Sequence, residues 1–465
     1  MPTSTGLLRR YHEATKHSPA SVSSSTHRLD WRNKPLPFKI YSSLERIEPP
    51  DDIGRLCRYA NGVLRWRRDL SGELYGFRAA PCTGALYHIE LYLASADRAD
   101  LPAGVYHYGA HDHGLRRLRE GDWRGLLVEA SSGFPPLASA PVVAVLTSTF
   151  WRNSWKYQAR AYRHSYWDGG VILANLLGLA GSDGIPASVV MGFVDWTVNH
   201  LLGADGEREA AVAMVALGTG APAPAAPAAI PDLDFPTMPL SPREVGYPLI
   251  VEAHGGSSFR TPSEVSAWRE PALAGGSTGS SAGKLAMWPP GEEKIEAVIA
   301  RRRSTRGFAR LPITSSQLET LLSAATAPVS GDAFLRDLVD PLLIVNAVDG
   351  LRPGKYGGDL TAIELGDFRR PAAELALGQP IAAQAAVNIY FMADLDSVFG
   401  KLGERGYRVA QMAGAIAGGR VELAATALGL GATGLTFFDD DVTQFFEPKA
   451  RGRQVMYLVA AGQAG

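Results

Sequence analysis

The sequence predicts an α+β protein built from two diverged copies of one unit. Three observations carry this. Residues 156–163 (KYQARAYR) recur as residues 401–408 (KLGERGYR), matching Lys156/Lys401, Arg160/Arg405, Tyr162/Tyr407 and Arg163/Arg408 at an offset of 245. That offset also carries Gly169 onto Gly414, Gly184 onto Gly429, Phe193 onto Phe438 and Asp195 onto Asp440. Each copy has the same element order, in which helices mix with a few strands as in a layered α+β domain. And the composition, 46% hydrophobic and 20% charged over 465 residues, is that of a globular chain.

Taken in order, the elements read alike in both copies. A β-like run comes first, Val142–Thr147 (VVAVLT) and Val387–Ala393 (VNIYFMA). A long stretch rich in Ala, Leu and Gly follows, about 160–183 and 405–429; it is apolar on nearly all sides, which predicts a buried helix. A glycine-containing turn leads to a last β-like run, Val212–Gly218 (VAMVALG) and Val455–Gly462 (VMYLVAAG). Upstream, Leu101–Tyr106 (LPAGVY) echoes Leu351–Tyr356 (LRPGKY). Between the copies, a Pro/Ala tract at 221–231 and a Gly/Ser run at 275–283 have linker composition. The expected domains are 1–220 and 292–465, with a connector at 221–291 containing short ordered pieces such as Tyr247–Glu252.

Charge and cysteine content narrow the function. Lys+Arg is 46 and Asp+Glu 47, so the basic excess of a nucleic-acid binder is missing. Cys57 and Cys82 are the only cysteines, too few for a disulfide framework or zinc ribbon. The first 30 residues lack an apolar signal core, and no run reaches 18 apolar residues. A cytoplasmic enzyme without a membrane span is expected.

Several motif matches fail on context. Gly275–Gly279 (GGSTG) lies in linker sequence without the strand a nucleophile elbow needs. Gly279–Lys284 (GSSAGK) is one residue short of a P-loop and continues with Leu285. His12 and His17 are five apart, not four. No Cys/His cluster has metal-ligand spacing, so no metal is expected.

Three segments are more informative. In Glu292–Arg306 (EEKIEAVIARRRSTR), Ile295, Val298 and Ile299 mark one helical face, and the helix runs into Arg301, Arg302, Arg303, Ser304 and Arg306. Such donors suit an anion such as phosphate, or complement the helix C-terminus. Pro81–Tyr87 (PCTGALY) has the small residues that let backbone approach a flat ligand, or is an ordinary loop before a strand. Lys156 and Tyr157 are a potential proton-handling pair, or a lysine stem lying over an aromatic ring. Cys82 has no sequence-adjacent histidine base and reads chiefly as a small buried residue.

Together these segments resemble the nitroreductase superfamily, and within it the SagB-type branch that contains thiazoline/oxazoline dehydrogenases. Arg302-Arg303-Ser304-Thr305-Arg306 with Phe308 resembles the R-R-S-x-R-x-F flavin-phosphate motif. Pro81–Tyr87 resembles the P-S-x-G-A-L-Y loop, with Cys82 in place of Ser and His88 in place of the following Pro. Leu101–Tyr108 resembles the Gly-x-Tyr-x-Tyr hairpin, and Lys156-Tyr157 with Arg160, Tyr162 and Arg163 resembles the segment carrying a Lys–Tyr catalytic pair. Tyr11–Pro19 also looks like that branch. The resemblance implies two fused nitroreductase-like domains forming an intramolecular pseudo-dimer. The basic tail that many members direct at the phosphate is expected to be missing after Gly465.

The departures are complementary. Copy one lacks R-R-S-x-R, its corresponding region at about 50–75 offering Arg65-Trp66-Arg67-Arg68-Asp69. Copy two lacks P-S-x-G-A-L-Y, offering Ala327–Asp332, and has Leu402 in place of Tyr157. In a family that builds each site from two subunits, this pattern implies one FMN site per chain. Its expected cofactor contacts are Arg302, Arg303, Ser304 and Arg306, then Pro81, Cys82, Thr83, Gly84, Ala85 and Leu86, with Gly434 and Leu435 supplying backbone beside the ring; Lys156 and Tyr157 are the expected catalytic pair. The expected reaction is oxidation of a C–N or C–C bond in an azoline- or peptide-type substrate. An NAD(P)H-dependent nitro or quinone reductase, and a non-enzymatic docking subunit of a peptide-modifying complex, are the alternatives. The resemblance leaves room for a biosynthetic partner enzyme and further oligomerisation.

Overall fold

The computed structural model describes residues 6–68, 72, 74–274, 293–333 and 338–465. The decoy motifs at 275–284 lie outside the described residues.

Both halves form a six-stranded antiparallel sheet with the same strand order. The first runs Gly114–Glu120, Gly104–Gly109, Ile89–Ser95, Val142–Thr149, Glu209–Leu217, Ala187–Val190. The second runs Ala362–Leu365, Gly354–Gly357, Asp340–Val345, Val387–Ala393, Gln454–Gly462, Gly431–Gly434. The central strands Val142–Thr149 and Val387–Ala393 are buried along their whole length, which explains why they read as continuous apolar runs without polar alternation.

Between the sheets lie the two long helices anticipated from the Ala/Gly/Leu-rich stretches, Ala161–Ser182 and Arg405–Ala427. They pack on each other along their length. A Cβ on Gly170 would stand 2.6 Å from the Cβ of Ala415, and one on Gly419 would stand 2.8 Å from that of Ala174, so glycine is required for the helices to approach this closely. The chain is thus α+β, two fused domains forming an intramolecular pseudo-dimer about a central helix pair.

Reciprocal ion pairs join the halves. Arg160 and Arg163 hold Asp439 at 3.0 and 2.5 Å, and Arg405 and Arg408 hold Asp195 at 2.7 and 2.6 Å. Asp195 therefore corresponds to Asp439, and Phe193 to Phe437, since Arg405 lies over Phe193 and Arg160 over Phe437. The sequence register had paired Asp195 with Asp440 and Phe193 with Phe438. The first half is one residue longer between Gly184 and Ala187 than the second between Gly429 and Gly431, and this extra residue shifts the register.

The repeat extends into the expected connector, which contains helices Pro248–Gly256 and Pro262–Ala274. Arg163 donates to His12 O and Thr15 Oγ1, and Arg408 donates to His254 O and Ser257 Oγ. Asp439 accepts from His17 N and Asp195 from Phe259 N. Helix Pro248–Gly256 thus occupies in the second half the place that Leu7–Ala14 occupies in the first.

Arg65–Arg68 do not occupy the place of the arginine motif. They lie on a two-stranded hairpin, Val63–Arg68 with Leu74–Arg78, which follows the helix Asp51–Asn61.

Candidate functional site

Arg302 of the second half reaches the residues that lead into the PCTG loop of the first. Helix Ile295–Arg301 ends at Arg302, whose guanidinium turns inward, 6% exposed, to donate to Ala79 O at 3.1 Å. The next residues run along the edge of the second sheet, where Ser304 bridges Ala432 and Thr305 N donates to Ala432 O. Arg306 is exposed and has no ion-pair partner among the described residues. Arg303, an expected cofactor contact, is engaged with the helix itself. It donates to the carbonyls of Ala300, Arg301 and Arg302, so it caps the helix C-terminus.

Opposite, residues 81–86 are anchored by a side chain absent from the sequence expectation, Asp168 of the first central helix. Its carboxylate accepts from Thr83 N, from the Thr83 hydroxyl and from the Cys82 thiol at 2.9 Å, and lies 2.9 Å from His88 Nε2. Gly84 turns outward at φ +65°, and a Cβ there would stand 2.8 Å from the Tyr157 hydroxyl. Pro81, Cys82, Thr83 and Ala85 are half-buried and Leu86 is buried against Trp151 and Trp155. Burial, followed by the neighbouring Asp168, pushes the Cys82 thiol well up.

Two further buried groups close the inner side. Glu422 accepts from Gly434 N at 3.0 Å and faces Arg302 at 3.4 Å; burial, partly offset by Arg302, raises its pKa. Tyr457 packs against Gly434, where a Cβ would lie 2.7 Å from its hydroxyl. Leu435 N donates to Leu458 O. The Gly434 and Leu435 N–H groups, expected to face a ring, are both engaged within the protein.

Lys156 and Tyr157 end the helix Phe150–Tyr157 beside this loop. Lys156 is exposed, its ammonium 5.3 Å from the Tyr157 ring centre. Tyr157 is edge-on to His164, and burial, followed by Cys82 and Asp168, raises its pKa. The next residue, Gln158, sits at φ +50°, ψ −140°, a conformation its counterpart Gly403 adopts without a side chain.

The pseudo-symmetric location is filled. Asp332, fully buried, accepts from Met191 N and Gly192 N, both at 2.8 Å. Trp268 packs on Gly192, where a Cβ would stand 2.5 Å from the indole, and donates to Leu402 O. Arg269 stands 3.6 Å from Asp332. Neither the tryptophan nor the aspartate role was foreseen, because both depend on where the connector helix docks.

Comparison with known proteins agrees with this architecture. Residues 299–463 match the model described as the nitroreductase family. A crystal structure of a protein provisionally assigned as a nitroreductase, from Anabaena variabilis, is 28% identical and covers 99% of each chain with a TM-score of 0.81. A nitroreductase-assigned protein of Methanocaldococcus jannaschii is 27% identical over 127 residues, which is 27% of this chain and 64% of that relative's length. The second half carries a nitroreductase-family domain, and the full-length likeness to the Anabaena structure, with the same strand order in both halves, gives the chain the architecture of a fused pair of such domains.

Proposed function

We propose that the chain is an FMN-dependent oxidoreductase with one flavin site, formed by Arg302–Arg306 of the second half and Pro81–Leu86 of the first. The observation that carries this is the Arg302–Ala79 contact, which brings the arginine motif to the chain two residues before Pro81, while Trp268 and Asp332 fill the pseudo-symmetric location. The donors fit the cofactor's phosphate end: Arg306 is exposed and unpaired among the described residues, and the buried Nε–H of Arg302 has no acceptor. Gly84 is exposed and left-handed, and its missing side chain admits the Tyr157 hydroxyl, which brings that tyrosine against the loop.

FMN, when bound, supplies two-electron hydride chemistry. The chain's part is to bind, orient and move a proton. Arg302 and Arg306 neutralise the phosphate. Asp168 fixes the Cys82–Thr83 backbone through hydrogen bonds. Oxidation of a C–N or C–C bond sheds a hydride and a proton; Lys156 takes or relays the proton, and Tyr157 positions it from the Gly84 side. The SagB-like motifs favour an azoline- or peptide-type substrate in a biosynthetic setting. We also place the start of the second unit near Pro248 rather than at 292, because Pro248–Gly256 stands in for Leu7–Ala14.

The test is turnover per bound flavin with an azoline-containing peptide. Lys156→Ala and Tyr157→Phe should retain FMN and lose about 10²–10⁴ in rate, the range for a positioned acid or base. Lys401→Ala should leave the rate nearly unchanged. An unchanged rate per flavin in both first-half variants removes the catalytic assignment.

A further inference from the structure

The two positions at which the PCTG segment departs from the family pattern, Cys82 and His88, converge on one carboxylate. Cys82 Sγ and His88 Nε2 each lie 2.9 Å from Asp168 Oδ2, and the three donor atoms lie within 4.8 Å of one another. His88 and Asp168 are buried and Cys82 is half-buried. The sequence spacing hid this cluster, because Asp168 reaches the loop from a helix 80 residues beyond His88.

Charge accounting sets Asp168 apart. The other buried carboxylates each face a guanidinium or ammonium within 4 Å: Glu90 with Arg152, Asp195 with Arg405 and Arg408, Glu209 with Lys39, Asp332 with Arg269, Glu422 with Arg302, Asp439 with Arg160 and Arg163. Among the described residues Asp168 has no such partner; the only ionisable cationic group against it is His88. A buried carboxylate without a compensating cation is costly.

The far side of His88 is held as well: Nδ1 lies 2.9 Å from Ser148 Oγ, which lies 2.9 Å from Ser165 Oγ. A histidine whose far nitrogen is held by such a hydrogen-bond relay is the usual support of a metal ligand.

We propose that Cys82, His88 and Asp168 form a binding site for a divalent cation of the zinc class, with Thr83 beside the remaining position. A thiolate and a carboxylate balance the two charges of the metal, and imidazole completes three protein ligands with one position open. Binding releases the Cys82 proton to solvent. With metal–ligand bonds of about 2.0–2.3 Å, tetrahedral donors stand roughly 3.3–3.6 Å apart, so the present 2.9 Å separations widen by about half an ångström. Half-buried Cys82 and exposed Gly84 provide the entry side. The site ties the loop to the first central helix whether or not flavin binds.

The probe is Co²⁺, added to the full-length protein with a metal-free sample as blank so that flavin absorption cancels. The expected result is about one Co²⁺ per chain, a near-ultraviolet thiolate-to-cobalt band, and loss of both when Zn²⁺ is added in excess. Cys82→Ser should abolish the band and His88→Gln should weaken Co²⁺ binding at least tenfold, whereas Cys57→Ser, at a core position, should leave the band in place. If the Cys82 or His88 variants fail to fold, the wild-type and Cys57→Ser spectra still decide, because Cys57 and Cys82 are the only thiols. Absence of a thiolate band in the wild type, or its survival in folded Cys82→Ser, overturns the proposal. Flavin content measured on the same samples keeps failure here separate from failure of the FMN reading.

Discussion

Arg302→Ala and Arg306→Ala should separate flavin binding from fold stability. Arg302 is buried, bonds to Ala79 O at 3.1 Å and faces Glu422 at 3.4 Å. Its removal leaves Glu422 buried without its cation, and breaking a buried pair costs about 3–5 kcal/mol. The low end applies, since the contact is long and the raised pKa of Glu422 lets it take up a proton. Loss of a charge-assisted phosphate contact adds roughly 1.5–3 kcal/mol to the cost of binding FMN, or about ten- to a hundredfold in affinity. Arg306 is exposed and has no ion-pair partner among the described residues, so Arg306→Ala should show the affinity loss alone. Glu422→Gln in the Arg302→Ala background should recover part of the stability and none of the affinity. Chemical denaturation and titration with FMN, followed by flavin fluorescence, read the two quantities independently. Unchanged FMN affinity in both arginine variants, or its recovery on adding Glu422→Gln, would refute the assignment of these arginines to the phosphate.

The inter-half clamps predict acid sensitivity. Burial pushes Asp195 up, but Arg405 and Arg408 outweigh it and hold the carboxyl at about 2; Asp439 is held lower still by Arg160 and Arg163 against the same burial. Both lie below the unfolded value of about 3.9, so their stabilisation is present above pH 4 and is lost as pH falls toward 2, roughly 2–3 kcal/mol for Asp195 alone. An acid titration of Asp195→Asn should lose that part of the slope; an identical slope would contradict the clamp. Gln158→Gly should stabilise the protein by about 1 kcal/mol, by removing a side chain from a conformation that glycine adopts freely, and Gly403→Ala should destabilise it. Opposite shifts in the denaturation midpoint test this pair. Gly170→Leu should prevent the two central helices from approaching and yield little folded protein, whereas Gly246→Ala, where a Cβ meets nothing within 4 Å, should express normally.

What the sequence disclosed and what it concealed have physical reasons. The central helices and inner strands were legible because they are buried on all sides, and burial writes itself as continuous apolar composition. The Lys156/Lys401 and Arg160/Arg405 repeat survived because Arg160, Arg163, Arg405 and Arg408 all cross to the opposite half. The equivalence of Leu7–Ala14 and Pro248–Gly256 was hidden because the arginines read only a backbone carbonyl and a hydroxyl there, supplied equally by His12 with Thr15 and His254 with Ser257. Asp168 and Glu422 escaped because their partners lie far along the chain, and a lone acid in an apolar helix carries no spacing signal. The helix-capping contacts of Arg303 carried no signal, because a helix-capping arginine and a phosphate-binding one look the same in sequence. Docking of Trp268 on Gly192 came from tertiary structure alone.

Flavin content per chain tests the central claim most directly. The protein, saturated with FMN and freed of excess, should contain one flavin per 465-residue chain, released on denaturation and measured against protein by amino-acid analysis. One is predicted because Arg302 brings its motif to the chain two residues before Pro81, while Trp268 with Asp332 fills the pseudo-symmetric location. Two flavins per chain would contradict the asymmetry, and none after saturation would contradict the flavin site itself.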